Sequence, residues 1–239
     1  MDIQNAEHRS VAFVLGASRG IGAATATRFA EAGYVTFGSH RGSGVPEGVH
    51  PVEVDVRDEA SVRNAVRAVV AERGRLDVAV VNAGIVRQDL LVRMTPEALG
   101  EVFGVNTFGA IMATKHVVTA MNRQGSGSIV LVSSESSRAG IPGSSHYTAS
   151  KAALEGFARS VMWEYGHRGI RINVVAPGST ETDMFARVDA EHRAELLART
   201  PLGRFGQPQE IAQAIQWIAE STYLTGACIP VTGGEGLGY

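Results

Sequence analysis

Val11-Ala12-Phe13-Val14-Leu15-Gly16-Ala17-Ser18-Arg19-Gly20-Ile21-Gly22 decides the fold. Five apolar residues form a short strand that is apolar on both faces, and a turn with three glycines leads into an amphipathic helix predicted over 21–32. Such a strand-to-helix turn lets the backbone come close to a phosphate, and the helix N-terminus supplies unpaired N–H groups and partial positive charge. The spacing here is G-x-x-x-G-x-G, unlike the G-x-G-x-x-G of the broader dinucleotide fingerprint.

Outward from this turn the same alternation continues. Strands are predicted over 11–15, 35–37, 52–54, 78–81, 129–132 and 172–175, and helices over 21–32, 60–73, 96–121, 147–165 and 208–219. Pro208 suits the first turn of the last helix. Strands buried on both faces with helices between them specify a single α/β domain, a Rossmann-type doubly wound parallel sheet with helices on both faces. Residues 1–10 read as a polar N-terminal tail and residues 11–239 as the domain. The Gly- and Ser-rich stretch 41–48 sits where a βα connection belongs and reads as a ligand-side loop.

Composition excludes several classes. With 44% hydrophobic and 19% charged residues the chain has a globular profile, and a formal net charge of −2 with scattered Lys and Arg gives no basic stripe for nucleic acid. No apolar run approaches a membrane span, and the polar N-terminus lacks the order of a secretory signal. The one cysteine, Cys228, forms no internal disulfide and is compatible with a reducing cytoplasm. The seven histidines are dispersed, so no metal site is expected.

The second strand bears on the choice of nicotinamide cofactor. An acid near its end would accept from a ribose 2′-hydroxyl and repel a 2′-phosphate. Between Gly33 and Pro46 there is none; Ser39, His40 and Arg41 stand there, and Arg19 in the glycine turn can reach the same place. Two guanidiniums suit a dianionic phosphate, which favours NADPH over NADH.

Tyr147 and Lys151 lie four apart at the start of a predicted helix and share a face. An adjacent ammonium favours a phenolate, and a lowering by roughly two to three pKa units would make Tyr147 a usable acid or base. The pair in isolation is common on helix surfaces. Its company is not: Ser134 follows one predicted strand, Asn82-Ala83-Gly84 another and Pro177-Gly178 a third, all on the rim that carries the glycine turn.

Taken in order, Gly16…Gly20-Ile21-Gly22, Asp55-Val56, Asn82-Ala83-Gly84, Asn106, Ser134, Tyr147…Lys151, Pro177-Gly178 and Gly226…Val231-Thr232-Gly233-Gly234 resemble the short-chain dehydrogenase/reductase family. Within it, the run 176–184 is similar to 3-oxoacyl-[acyl-carrier-protein] reductases. The stretch 40–46 resembles their mycobacterial branch, which reduces long-chain thioesters.

The resemblance implies roles residue by residue. Tyr147 would donate the proton to a carbonyl, Lys151 would lower the Tyr147 pKa and bond the nicotinamide ribose, Ser134 would hold the carbonyl oxygen, and Asn106 would place a relay water. Gly16, Ser18, Arg19, Gly20, Ile21 and Gly22 would cradle the pyrophosphate, with His40 and Arg41 at the 2′-phosphate. Asp55 and Val56 would bracket the adenine, Asn82, Ala83 and Gly84 the adenosine side, and Pro177, Gly178, Thr180 and Thr182 the carboxamide end.

Leu15 stands where the family usually has threonine, and segment 135–145, expected to line the substrate pocket, is polar for a long-chain acyl site. Arg123 and Arg168 are candidates for meeting an acidic carrier protein near the pocket mouth. The resemblance further implies a cytoplasmic homotetramer built partly from the helices over 96–121 and 147–165. Two alternatives stay open: a reductase for another small ketone, sugar, steroid or polyketide, and a non-catalytic dinucleotide sensor or scaffold.

Overall fold

A computed structural model describes residues 9–236 of the chain; residues 1–8, most of the predicted polar tail, lie outside the described residues. Among these, seven strands form one parallel sheet in the order β3-β2-β1-β4-β5-β6-β7. They are β1 (Val11–Leu15), β2 (Val35–His40), β3 (His50–Glu53), β4 (Val78–Val81), β5 (Gly127–Val132), β6 (Ile170–Pro177) and β7 (Cys228–Val231).

Alternate side chains of one strand feed two cores, as the pleat requires. Val11, Phe13 and Leu15 face the core closed by α2 (Glu59–Arg73), α4 (Ala110–Gln124) and α6 (Ser145–Tyr165). Ala12 and Val14 face the other, closed by α1 (Gly20–Glu31) and α8 (Pro208–Glu220). Phe13 and Leu15 are fully buried, each contributing about 1.5–3 kcal/mol by leaving water. Local chemistry sets the helix ends: the Asp58 carboxylate accepts from Ala60 N at the start of α2, which ends at Gly74 in the left-handed region.

The helix expected over 96–121 is not continuous. It begins as α3 (Pro96–Phe103), widens into a π-helical turn over Gly104–Gly109, and resumes as α4. Glycines stand at both ends of the wide turn, and Asn106 inside it turns its side chain onto the backbone of Ile85. A Cβ on Gly109 would lie 2.9 Å from Val56 O, so the wide turn lies directly against the loop that carries Asp55 and Val56. Such turns often occur at functional sites.

Two shorter helices and the last strand were not expected: α5 (Ser136–Ala139), α7 (Ala190–Ala198) and β7. Pro230 in β7 lacks a backbone donor, which argues against a central strand; β7 accommodates it at the sheet edge, paired to β6 alone. The strand expected over 52–54 starts two residues earlier, at His50.

Candidate active site

Because every strand runs the same way, β1, β4, β5 and β6 bring Leu15, Val81, Val132 and Pro177 to one rim. The strand order reverses between β1 and β4, where open α/β sheets bind ligands. The glycines show how tightly the predicted motifs meet there. A Cβ on Gly16, whose φ is +84°, would lie 2.8 Å from Cα of Ala83. A Cβ on Gly22 would run into the carbonyl oxygen of Gly16 and sit 2.5 Å from Nδ2 of Asn82, the same nitrogen that donates to Gly16 O at 2.8 Å. The turn after β1 and the turn after β4 therefore form one unit.

Ser39, on buried β2, accepts from Gly16 N through its hydroxyl at 2.7 Å, and its carbonyl accepts from Ala17 N at 2.8 Å. Arg19 is the N-cap of α1 and its side chain makes no capping bond, which leaves the first-turn N–H groups directed at the rim. Gly20, at φ +55°, faces Thr182: a Cβ there would lie 3.2 Å from Thr182 Cγ2. The segment after β6 thus lies over the N-terminus of α1, and Ser18, Ile21, Thr180 and Thr182 share one neighbourhood. His40 ends β2 with Nδ1 accepting from Gly42 N at 3.0 Å, and Arg41 follows on the exposed loop. The Asp55 carboxylate accepts from Arg57 at 2.6 Å, which holds its pKa down near 2.

The second cluster contains Asn106, Ser134, Tyr147 and Lys151. Gly84 sits between two of them: a Cβ there would be 3.2 Å from Lys151 Nζ and 3.3 Å from Asn106 Oδ1. The Asn106 amide orientation follows from its partners, because Ile85 N–H requires an oxygen and Ile85 O a nitrogen. Nδ2 also donates to Ser150 Oγ at 3.0 Å. Both amide hydrogens are committed, leaving one lone pair of Oδ1 beside Lys151.

The direction expected for Tyr147 is reversed. Burial pushes its phenol above the ordinary value, and the hydrogen bond with Ser134 pulls it partly back. Burial also brings Lys151 down to about 8, and its ammonium donates to Val132 O at 2.8 Å. Desolvation acts on both groups and outweighs the attraction that the four-residue spacing promised.

Ser134 Oγ accepts from Ser136 N at 3.2 Å and Ser136 Oγ at 3.0 Å, so α5 holds the Ser134 hydroxyl in place. Glu135, Ser136 and Ser144 are buried; part of the polarity of segment 135–145 is therefore spent inside the protein. Sequence reasoning missed Ser150, whose hydroxyl joins Asn106 to Tyr147 O at 2.7 Å, and Ser133, whose hydroxyl donates to Lys151 O at 3.0 Å. Both adjoin residues already singled out, the signal that could have found them.

Arg123 and Arg168 do not flank the rim. Arg123 closes α4 just before β5 begins, and Arg168 stands just before Ile170 opens β6. They lie at the N-terminal ends of these strands, across the sheet from the site, which corrects their expected place at the pocket mouth. Among the described residues, no group of three or more His, Cys, Asp or Glu side chains could hold a metal ion, and no helix is long and apolar enough to cross a membrane.

A family model described as enoyl-(acyl carrier protein) reductase matches residues 16–235. The chain belongs to the short-chain dehydrogenase/reductase family and is an oxidoreductase. It is 40% identical over 237 residues to the 3-oxoacyl-[acyl-carrier-protein] reductase FabG of Thermotoga maritima, covering 94% of this chain and 96% of the relative. To the MabA reductase of the same description from Mycobacterium tuberculosis it is 39% identical over 233 residues, covering 97% and 94%. The Escherichia coli FabG reductase is 37% identical over 234 residues, covering 94% and 96%.

Proposed function

We propose that the protein reduces a 3-oxoacyl thioester, carried on acyl carrier protein or coenzyme A, to the 3-hydroxyacyl thioester with NADPH, in cytoplasmic fatty acid biosynthesis. The observation that carries this reading is that Asn106, Ser134, Tyr147 and Lys151 gather on the same rim as the glycine turn, with Lys151 Nζ and Asn106 Oδ1 both against Gly84 and Tyr147 one helical turn from Lys151 on α6. The names of the relatives supply the substrate class.

The residues fit a nicotinamide dinucleotide. The backbone approach at Gly16 and Gly22 leaves no room for a Cβ, the geometry a pyrophosphate needs at a helix N-terminus. Gly16, Ser18, Arg19, Gly20, Ile21 and Gly22 would hold the phosphates, and His40 and Arg41 the 2′-phosphate. Asp55, Val56, Asn82, Ala83 and Gly84 would border the adenosine, and Pro177, Gly178, Thr180 and Thr182 the carboxamide. Bound NADPH would supply the hydride.

The chain's own residues do the rest. Ser134 donates a hydrogen bond to the carbonyl oxygen, and Tyr147 transfers its phenolic proton to that oxygen as negative charge builds there. A phenol raised by burial is fully protonated at pH 7 and ready to give its proton to a far more basic alkoxide. The phenolate left behind is stabilised by Lys151, which at a pKa of about 8 is mostly charged at pH 7 and later returns the proton. Acetoacetyl-CoA-dependent oxidation of NADPH, followed at the nicotinamide absorbance, tests the reading. Rapid turnover that Tyr147→Phe reduces at least a thousandfold supports it, whereas turnover with other carbonyls alone, or binding without turnover, refutes it.

A homotetramer belongs to the same proposal. Phe108 in the wide turn is 61% exposed and Trp163 on α6 is 81% exposed, apolar surface on the elements that the family resemblance assigns to subunit contacts. Light scattering showing a monomer would refute it.

A further inference from the structure

We infer that Glu235, far from the catalytic cluster in sequence, is a positioning residue that holds the Pro177–Ser179 turn where a nicotinamide cofactor needs it. This rests on the functional reading above. Glu235 is nine-tenths buried, yet it spends both carboxylate oxygens on one residue: Oε2 accepts from Ser179 N at 2.7 Å and Oε1 from Ser179 Oγ at 3.0 Å. Bonds from a charged acceptor to a backbone N–H are roughly twice as strong as neutral ones.

The turn has been built around that carboxylate. A Cβ on Gly178 would lie 2.9 Å from Glu235 Oε2 and 2.8 Å from Thr232 Cα, so only glycine lets β6 end so close to the segment after β7. Gly178 N donates to Val231 O at 3.0 Å, and Glu135 N, next to Ser134, donates to Pro177 O at 2.8 Å. Beyond Ser179, Thr180 Oγ1 donates to Gly178 O and Thr182 Oγ1 to Thr180 O. Gly206 bridges the backbone, its N donating to Ser179 O at 3.0 Å and its O accepting from Glu181 N at 2.9 Å, and Arg193 holds the Glu181 carboxylate at 2.6 Å. Thr182 in turn rests against Gly20 at the start of α1. Gly206 holds the segment from one side through Ser179 O and Glu181 N, and Glu235 holds the Ser179 N–H and hydroxyl from the other, so Glu235 sets how the 177–179 end of the segment lies toward the glycine turn.

A second buried carboxylate presses on the same place. Glu135 is buried, its Oε1 has no hydrogen-bond partner, and its carboxyl packs directly against Gly236. An acid beside an acid is unfavourable for packing alone. The acceptor oxygens of Glu235, and not a general need for charge there, explain the residue.

Two near-isosteric variants separate holding from filling. Glu235→Gln keeps an acceptor for Ser179 N, and Glu235→Met keeps the volume without one. NADPH binding is measured by fluorescence titration of the purified full chain, with melting followed by circular dichroism and KM obtained for NADPH and acetoacetyl-CoA. The expected result is an NADPH Kd about tenfold weaker in Glu235→Met and within threefold of wild type in Glu235→Gln. KM for NADPH moves in parallel, while KM for acetoacetyl-CoA changes less than twofold. If Glu235→Met folds and binds NADPH as wild type does, or if Glu235→Gln is as weak as Glu235→Met, the inference is overturned. It is overturned as well if Glu235→Met cannot fold while Glu235→Gln folds and binds no better than tenfold weaker than wild type. Failure of the wild type itself to bind NADPH overturns instead the functional reading on which the inference rests.

Discussion

Asn106 and Ile85 are joined in both directions, the side-chain oxygen of Asn106 accepting from Ile85 N at 2.8 Å and its nitrogen donating to Ile85 O at 2.9 Å. A side chain inside the wide turn thus replaces the backbone partner that the chain after β4 would otherwise lack, and so fixes Gly84 beside Lys151. Asn106→Ala leaves two half-buried backbone groups and the Ser150 hydroxyl without this partner, at about 1–3 kcal/mol for each group left unpaired. In a domain of this size, a loss of about 2–4 kcal/mol lowers Tm by roughly 5–15 °C. Asn106→Asp should be no milder, because it keeps the acceptor but turns a carboxylate oxygen toward Ile85 O. Thermal unfolding checks both, and an unchanged Tm in Asn106→Ala would show that the pairing carries no stability.

Gly22 is the least replaceable glycine of the first turn. Its Cα faces Gly16 O and Asn82 Nδ2 so closely that a methyl group must displace backbone. Gly22→Ala should therefore break the junction of the two turns, abolishing NADPH binding and lowering Tm by several degrees. Gly33→Ala is the control: Gly33 has open space around its Cβ position but a φ of +90°, so it should lose about 1 kcal/mol through backbone strain and keep its NADPH affinity. Equal binding losses in the two variants would sink the distinction.

Most of this was legible in the sequence because it is local. The period of apolar residues places β1, β4 and β5, and the turn residues after each strand place the rim. Ser134, Tyr147 and Lys151 could be singled out from the residues and Asn106 through the family resemblance, but the Asn106–Ile85 pairing and the wide turn could not, since a helical pattern is unchanged when one turn opens. Burial was the other blind spot. Spacing alone put an ammonium next to a phenol; only the packing of α6 shows that Lys151 is buried and Tyr147 half-buried, and burial raises the Tyr147 phenol instead of lowering it. Glu235 lies 56 residues from Ser179, and no periodicity connects them.

Arg41 offers a test of cofactor choice. Ser39 is committed to the glycine turn, His40 to Gly42 N, and the Asp55 carboxylate to Arg57, and β2 itself, Val35–His40, carries no carboxylate to receive a ribose 2′-hydroxyl. Arg41 is the exposed cation there. Arg41→Ala should reduce the ratio of kcat/KM for NADPH over NADH at least tenfold, mainly by raising KM for NADPH. A preference that survives the substitution would remove the 2′-phosphate from this loop.

Lys151 should lower stability while it serves catalysis. Burial depresses its pKa from 10.5 to about 8, so the unfolded chain binds this proton more tightly than the native protein does. The group therefore opposes folding fully below pH 8, by about 3 kcal/mol at 1.36 kcal/mol per pKa unit. That opposition fades as pH rises from about 8 to about 10.5, where the unfolded lysine also loses its proton. Lys151→Met removes the penalty but leaves Val132 O without its donor, a loss of about 1 kcal/mol. The variant should accordingly be inactive yet about 2 kcal/mol more stable than wild type at pH 7, and no more stable than wild type near pH 10.5. Comparing the two proteins at each pH cancels the titrating groups that do not touch Lys151, including Cys228, whose raised value acts equally in both. Urea unfolding at pH 7, 9 and 10.5 gives the comparison; a stability difference that does not change with pH would mean that Lys151 is not held in a desolvated site.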